Sequence, residues 1–215
     1  GAPICSHQAR VDLTSGAEMV ERPVDRMQKL EEPHQAFFLL KNYISAPRLL
    51  YLLRSSPAYT HPDLLLRIDE HVRRGVTNIT NVSLNDDAWR QATLPVGLGG
   101  LGIRAVRDLA LPAYLASLRS CAALSTAVYS LASPSIEQLR TSALAEWTQV
   151  IGCEPPEETQ QSHQRAWDHV AATAVADQLL QSTISDIDRA RLRAAAQPHS
   201  GAWLNSLPIA SLGTL

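Results

Sequence analysis

Cysteine is scarce in this chain: three residues in 215, Cys5, Cys121 and Cys153, at unrelated spacings. An odd and irregular set excludes a disulfide framework and a Cys-x-x-Cys zinc cluster, and reads as free thiols. Long apolar runs are missing as well, because an Arg or a Pro interrupts each strongly apolar stretch within about a dozen residues. A transmembrane helix needs ~20 such residues, so neither a membrane span nor a secretory signal is visible, and the chain reads as soluble and intracellular. Extended runs of β-branched residues are lacking too, which removes the usual signal for a central strand. Internal repeats and low-complexity segments are absent by inspection. What remains is 45% hydrophobic and 19% charged, enough apolar material for one large or two small packed domains and too little charge for a disordered chain.

Lysine is nearly absent among the cations: 17 of the 19 basic residues are Arg, the side chain suited to forked contacts with phosphate or carboxylate. The formal net charge is −2, but it is unevenly placed. Residues 41–107 carry nine basic side chains (Lys41, Arg48, Arg54, Arg67, Arg73, Arg74, Arg90, Arg104, Arg107) against five acidic ones, whereas residues 108–188 carry three against ten. The first region leans toward polyanions. The overall pI of about 6.4 lacks the footprint of an autonomous nucleic-acid binder, and a solvated face with ion pairs between helices explains the same charges.

Apolar spacing is helical nearly throughout. After an irregular start over 1–16, a helix is expected over about 17–31, ended by Pro33, which disfavours α geometry at the residue before it. His34 to Ser45 and Arg48 to Arg54 follow as two more helices. Pro62-Asp63 opens another, buried through Leu64, Leu65, Ile68 and Val72, with Gly75 weakening its end. Asn85-Asp86-Asp87 reads as the cap and first turn of a short helix carrying Trp89. Four glycines between positions 97 and 102 make a loop. Helices are then expected over Val106 to about Leu131, from Ser133-Pro134 to Gly152, over about 157–182, and from a capping box at Ser185/Asp188 to Ala196. The fold class is therefore mostly α: a multi-helix bundle with a glycine-rich loop near the middle and little or no sheet. The best boundary is that loop, dividing 1–95 from 96–215, although the two could form one continuous domain.

Candidate chemistry is thin. Gly97-Leu98-Gly99-Gly100-Leu101-Gly102 matches the glycine string that lets backbone amides approach a dinucleotide pyrophosphate, but Leu94-Pro95-Val96 before it is no strand, so a structural turn is the expected reading. Asp86-Asp87 invites comparison with a two-metal polymerase site, yet no third carboxylate at strand spacing accompanies it, and helix capping explains the pair. The seven histidines form no His-Glu-x-x-His ligand set. No catalytic residue, metal site or cofactor is assigned. Phe37, Phe38, Tyr43, Tyr51 and Tyr59 alternate with Lys41, Arg48 and Arg54. Such interleaving can stack nucleic-acid bases, but at helical spacing it is expected to be core, with the Tyr hydroxyls and Arg heads reaching water.

Several strings, in order, carry a resemblance: Gly1-Ala2-Pro3-Ile4, His34-Gln35-Ala36-Phe37-Phe38-Leu39-Leu40-Lys41, Leu49-Leu50-Tyr51-Leu52-Leu53-Arg54-Ser55-Ser56-Pro57, Trp89-Arg90-Gln91-Ala92-Thr93-Leu94-Pro95, Gly99-Gly100-Leu101-Gly102-Ile103-Arg104, Leu109 to Ser117, and Ser200-Gly201-Ala202-Trp203-Leu204. Together they resemble the region after the polymerase palm in non-LTR (LINE-like) retrotransposon reverse transcriptases, nearly end to end. The resemblance implies that the palm, with its metal-binding aspartates, lies upstream of Gly1. It also implies that helices of about 17–81 correspond to the thumb that grips the template-primer duplex, and that the rest is a helical linker. No catalytic residue carries over. The implied partners are nucleic acid, bound weakly by this segment alone, and the remainder of the parent polymerase, with no membrane. On charge clustering, Lys41, Arg48, Arg54, Arg73 and Arg74 are the expected phosphate contacts. The alternative is a helical protein-interaction or scaffold module that does not bind nucleic acid.

Overall fold

The computed structural model describes residues 6–27, 29–128 and 133–207, with side chains left out of the description at 6–8, 123–128 and 133–135. The Gly1-Ala2-Pro3-Ile4 string and the expected end of a helix at Leu131 lie outside the described residues. All regular elements among those described are helical, and the mostly α bundle expected from the spacing is what forms.

Helix α1 spans Ser6–Met27, starting earlier and ending earlier than the expected 17–31 segment. Its buried stripe (Ala9, Leu13, Ala17, Val20, Val24, Met27) steps by three and four residues. Two of its members, Ala9 and Ala17, are small, which hides the period in a linear reading. Pro33 does not end that helix, which stops at Met27; it occupies the first turn of α2 (Pro33–Leu39), where its missing N–H costs nothing. α2 widens into one π turn over Leu40–Ile44, closed by the Ser45 amide donating to the Leu40 carbonyl at 3.0 Å. α3 follows at Ala46–Ser55.

α4 (Pro62–Thr80) runs straight through Gly75 and stops at Asn81, whose φ of 52° is left-handed. Gly75 thus does not weaken a helix end. A Cβ there would lie 2.7 Å from Val24 Cγ1, so the missing side chain lets α1 and α4 approach closely. α5 (Asp86–Ala92) begins as expected, with the Asn85 side chain accepting from the Ala88 amide. α6 is Val106–Val128 and α7 Ser133–Val150. α8 begins only at Gln164 and ends at Ser182. The residues after Pro155-Pro156 form a short 3-10 turn over Glu158–Gln160 instead of its first turns. α9 is Asp186–Ala195, capped by Ser185 accepting from the Asp188 amide at 3.3 Å.

α6 organises the packing, lying against α3, α4, α7 and α8. Its first half (Val106, Leu109, Ala110, Ala113) belongs to a core with α1 through α4 that also includes Leu204. That core therefore draws on residues from both sides of position 95. Its middle (Leu111, Tyr114, Leu115, Ala116) joins a second core around Trp147 of α7 and Trp167 of α8. The two indoles meet edge to face, centroids 4.9 Å apart. Each N–H is satisfied by a backbone carbonyl, Cys153 for Trp147 and Gln161 for Trp167, both at 2.8 Å. No helix among the described residues is long and apolar enough to cross a membrane.

Candidate nucleic-acid interface

The glycine string is held by its own backbone. The amides of Gly100, Leu101 and Gly102 donate to the carbonyls of Pro95, Ala92 and Leu94, and a Cβ on Gly100 would lie 2.1 Å from the Leu94 oxygen. The amides that would face a pyrophosphate are occupied within the turn, and helix α5, not a strand, precedes it. Asp86 sits in the first turn of α5 and pairs with Arg73 at 2.9 Å. No group of three or more His, Cys, Asp or Glu residues able to hold a metal ion occurs among the described residues.

The five expected phosphate contacts fall into different settings. Lys41, in the π turn, is half-buried. Its ammonium donates to the Leu204 carbonyl at 3.0 Å and to Asn205 Oδ1 at 2.7 Å, and burial lowers its pKa from the ordinary 10.5. Arg54, near the end of α3, is exposed and donates from Nε to Gln164 Oε1 at 2.9 Å. Arg48 is exposed on another side of α3 and makes no ion pair among the described residues. Arg73 is drawn inward: its guanidinium donates to the Leu84 carbonyl and pairs with Asp86 and Glu70. Arg74 is exposed and meets His71 Nδ1 at 2.8 Å, while the other ring nitrogen of His71 faces Asp25 at 2.9 Å.

Two grooves flank α3. One, of about 370 Å³, is lined by Lys41 and Arg54 together with Arg104, Arg165 and Asp168. Within it, Arg104 and Asp168 form a fork-to-fork pair with both side chains largely covered, and Arg104 also donates to the Thr93 carbonyl. Arg165, on the first turn of α8, is exposed and makes no ion pair among the described residues. The other groove, of about 320 Å³, lies between α1 and α3 and is lined by Arg22, Arg26 and Arg48 with Glu18. Among the described residues only Arg22 is paired there, with Glu18 at 3.0 Å. The flanks of α3 thus hold seven cations against two carboxylates, in a chain whose net charge is −2.

No family model, curated protein or solved structure matches this chain. The grooves consequently stand on geometry and charge alone. Neither contains Arg73 or Arg74. Arg165 belongs to the acidic stretch 108–188, and Arg22 and Arg26 lie before residue 41, so regional net charge conceals all three. The four-residue spacing of Arg22 and Arg26 puts them on one helix face, a local signal that the sequence carries.

The aromatic residues divide. Phe37 is buried and Tyr59 half-buried, its ring 5.6 Å from that of Tyr114. Tyr43 and Tyr51 are 60% and 73% exposed, so these two are not core.

Proposed function

We propose that this chain is a non-catalytic helical segment related to the region after the palm of a non-LTR retrotransposon reverse transcriptase, and that it positions template-primer nucleic acid. The observation that carries this reading is the pair of cationic grooves flanking α3, one of which unites Lys41 and Arg54 with Arg104 and Arg165. Phosphate contacts of this kind fix register and orientation without reading sequence, as a positioning element requires. The ordered strings that resemble the family support the same reading.

The test is fluorescence anisotropy of the 215-residue chain with a labelled RNA–DNA primer-template across a salt series. Affinity that falls linearly on a log–log plot against salt supports the proposal. Absence of binding at low salt overturns it.

A second reading, a protein-interaction module, is favoured by one observation. An apolar groove of about 460 Å³ runs past Pro33, Phe37, Ile79, Leu101 and Trp203, and Trp203 is 55% exposed. A stable oligomer in analytical ultracentrifugation, without affinity for nucleic acid, supports that reading.

A further inference from the structure

The exposed crest of α3 combines the two chemistries that a single nucleic-acid strand needs. At 100° per residue, Arg48, Tyr51 and Arg54 step round the helix by about 60° each, with Tyr51 in the middle and ~4.5 Å of rise between neighbours. Arg48 enters the groove on the α1 side and Arg54 the groove on the α8 side, so the Tyr51 ring stands between two cationic channels. The opposite face of the helix is fixed by burial of Ala46, Leu49 and Leu53, which makes the crest a rigid platform. Among the described residues Tyr51 shows no ring contact with another aromatic, and it is 73% exposed, the largest exposure of any aromatic side chain described. Packing therefore gives no account of a large ring at this position, and leaving it in water forgoes the burial that normally accompanies one.

We infer that the crest of α3 seats the single-stranded part of the bound nucleic acid, with one base stacked on Tyr51 and the phosphates on either side held by Arg48 and Arg54. The inference rests on the nucleic-acid reading above and adds to it a strand type and a stacking residue. Charge complementarity selects a polyanion, and the exposed ring selects unpaired bases, because bases inside a duplex are already stacked on one another. Aromatic stacking tolerates any sequence, since every base has a π face. Arg165 and Lys41 extend the same path along the α8 side.

The test uses the full chain with two labelled probes, a mixed-sequence single-stranded oligonucleotide and a blunt RNA–DNA hybrid. Tyr51→Ala, Tyr51→Phe and Tyr43→Ala are compared with the unaltered protein, and circular dichroism verifies that each variant is folded. Tyr51→Ala is expected to weaken single-strand binding about tenfold, Tyr51→Phe to keep it within about twofold, and neither to change hybrid binding. Arg48→Ala and Arg54→Ala are each expected to lower the single-strand salt slope by about 0.7. Single-strand binding unchanged by Tyr51→Ala overturns the inference while leaving the nucleic-acid reading intact. Equal losses for strand and hybrid overturn the strand preference. Loss in Tyr51→Phe equal to that in Tyr51→Ala overturns stacking in favour of a hydroxyl contact. Absence of binding to both probes removes the inference together with the reading beneath it.

Discussion

Asp69, inside α4, caps a helix far away in sequence: its Oδ1 accepts from the Val106 amide at 2.6 Å and its Oδ2 from the Arg107 amide at 3.1 Å. Those are the first two residues of α6, and the carboxylate is 5% exposed. It does for α6 what a local capping residue does elsewhere, satisfying free amides and facing the positive end of the helix. Asp69→Ala, which leaves both amides without their acceptor in the core, is expected to cost about 2–3 kcal/mol in urea unfolding.

The same carboxyl gives the stability a pH dependence. Burial pushes Asp69 up from 3.8 to about 7, against the lowering effect of the two amides. The folded protein therefore holds this proton more tightly than the unfolded chain does. Its contribution is complete below about pH 4, declines as pH rises, and is lost above about pH 7. The urea midpoint of the native chain is expected to fall between about pH 4 and about pH 7, and the difference between it and Asp69→Asn to show that fall. A difference that stays flat across the window contradicts the assignment.

Gly97 and Gly100 test the glycine turn against each other. A Cβ at Gly97 meets nothing within 4 Å, whereas at Gly100 it would overlap the Leu94 carbonyl. Gly97→Ala is expected to lie within ~0.5 kcal/mol of the native stability, and Gly100→Ala to cost about 3 kcal/mol. Thermal unfolding of the two variants reads this directly.

Gly75 carries a compensating pair. Gly75→Ala gains up to ~1 kcal/mol of helix propensity but drives a methyl group to 2.7 Å from the buried Val24. Overpacking of this kind costs about 1–3 kcal/mol, so net destabilisation on the order of 1 kcal/mol is expected. Adding Val24→Ala should make the glycine replacement stabilising in that background. A double-mutant cycle measures the coupling.

Arg73 and Arg165 separate structural from binding charge. Arg73 is occupied by the Leu84 carbonyl and by Asp86, so Arg73→Ala is expected to lower stability by about 1 kcal/mol while leaving the salt slope of nucleic-acid binding unchanged. Arg165→Ala, on an exposed side chain without an ion pair among the described residues, is expected to do the opposite: unchanged stability and a slope lower by about 0.7 on a single strand. Denaturation and anisotropy in parallel distinguish the two.

The sequence by itself determined the helical class and most helix starts, because these depend on local chemistry. The Asn85 and Ser185 caps, the prolines at the openings of α3 and α4 and the glycine turn each act within a few residues. The start of α1 escaped because small buried residues such as Ala9 and Ala17 give a weak apolar signal. The role of Gly75 escaped because it depends on Val24 of another helix. The site followed the same division: composition pointed to arginine-rich chemistry, but proximity decided which arginines act together. Tertiary packing joined Lys41 and Arg54 to Arg165 across more than a hundred positions, engaged Arg73 with the Leu84 carbonyl and Asp86, and left Tyr51 rather than Phe37 in solvent. Helical periodicity places residues on a common face, whereas only the covering of that face by a neighbouring helix decides which side chains water, or a ligand, can reach.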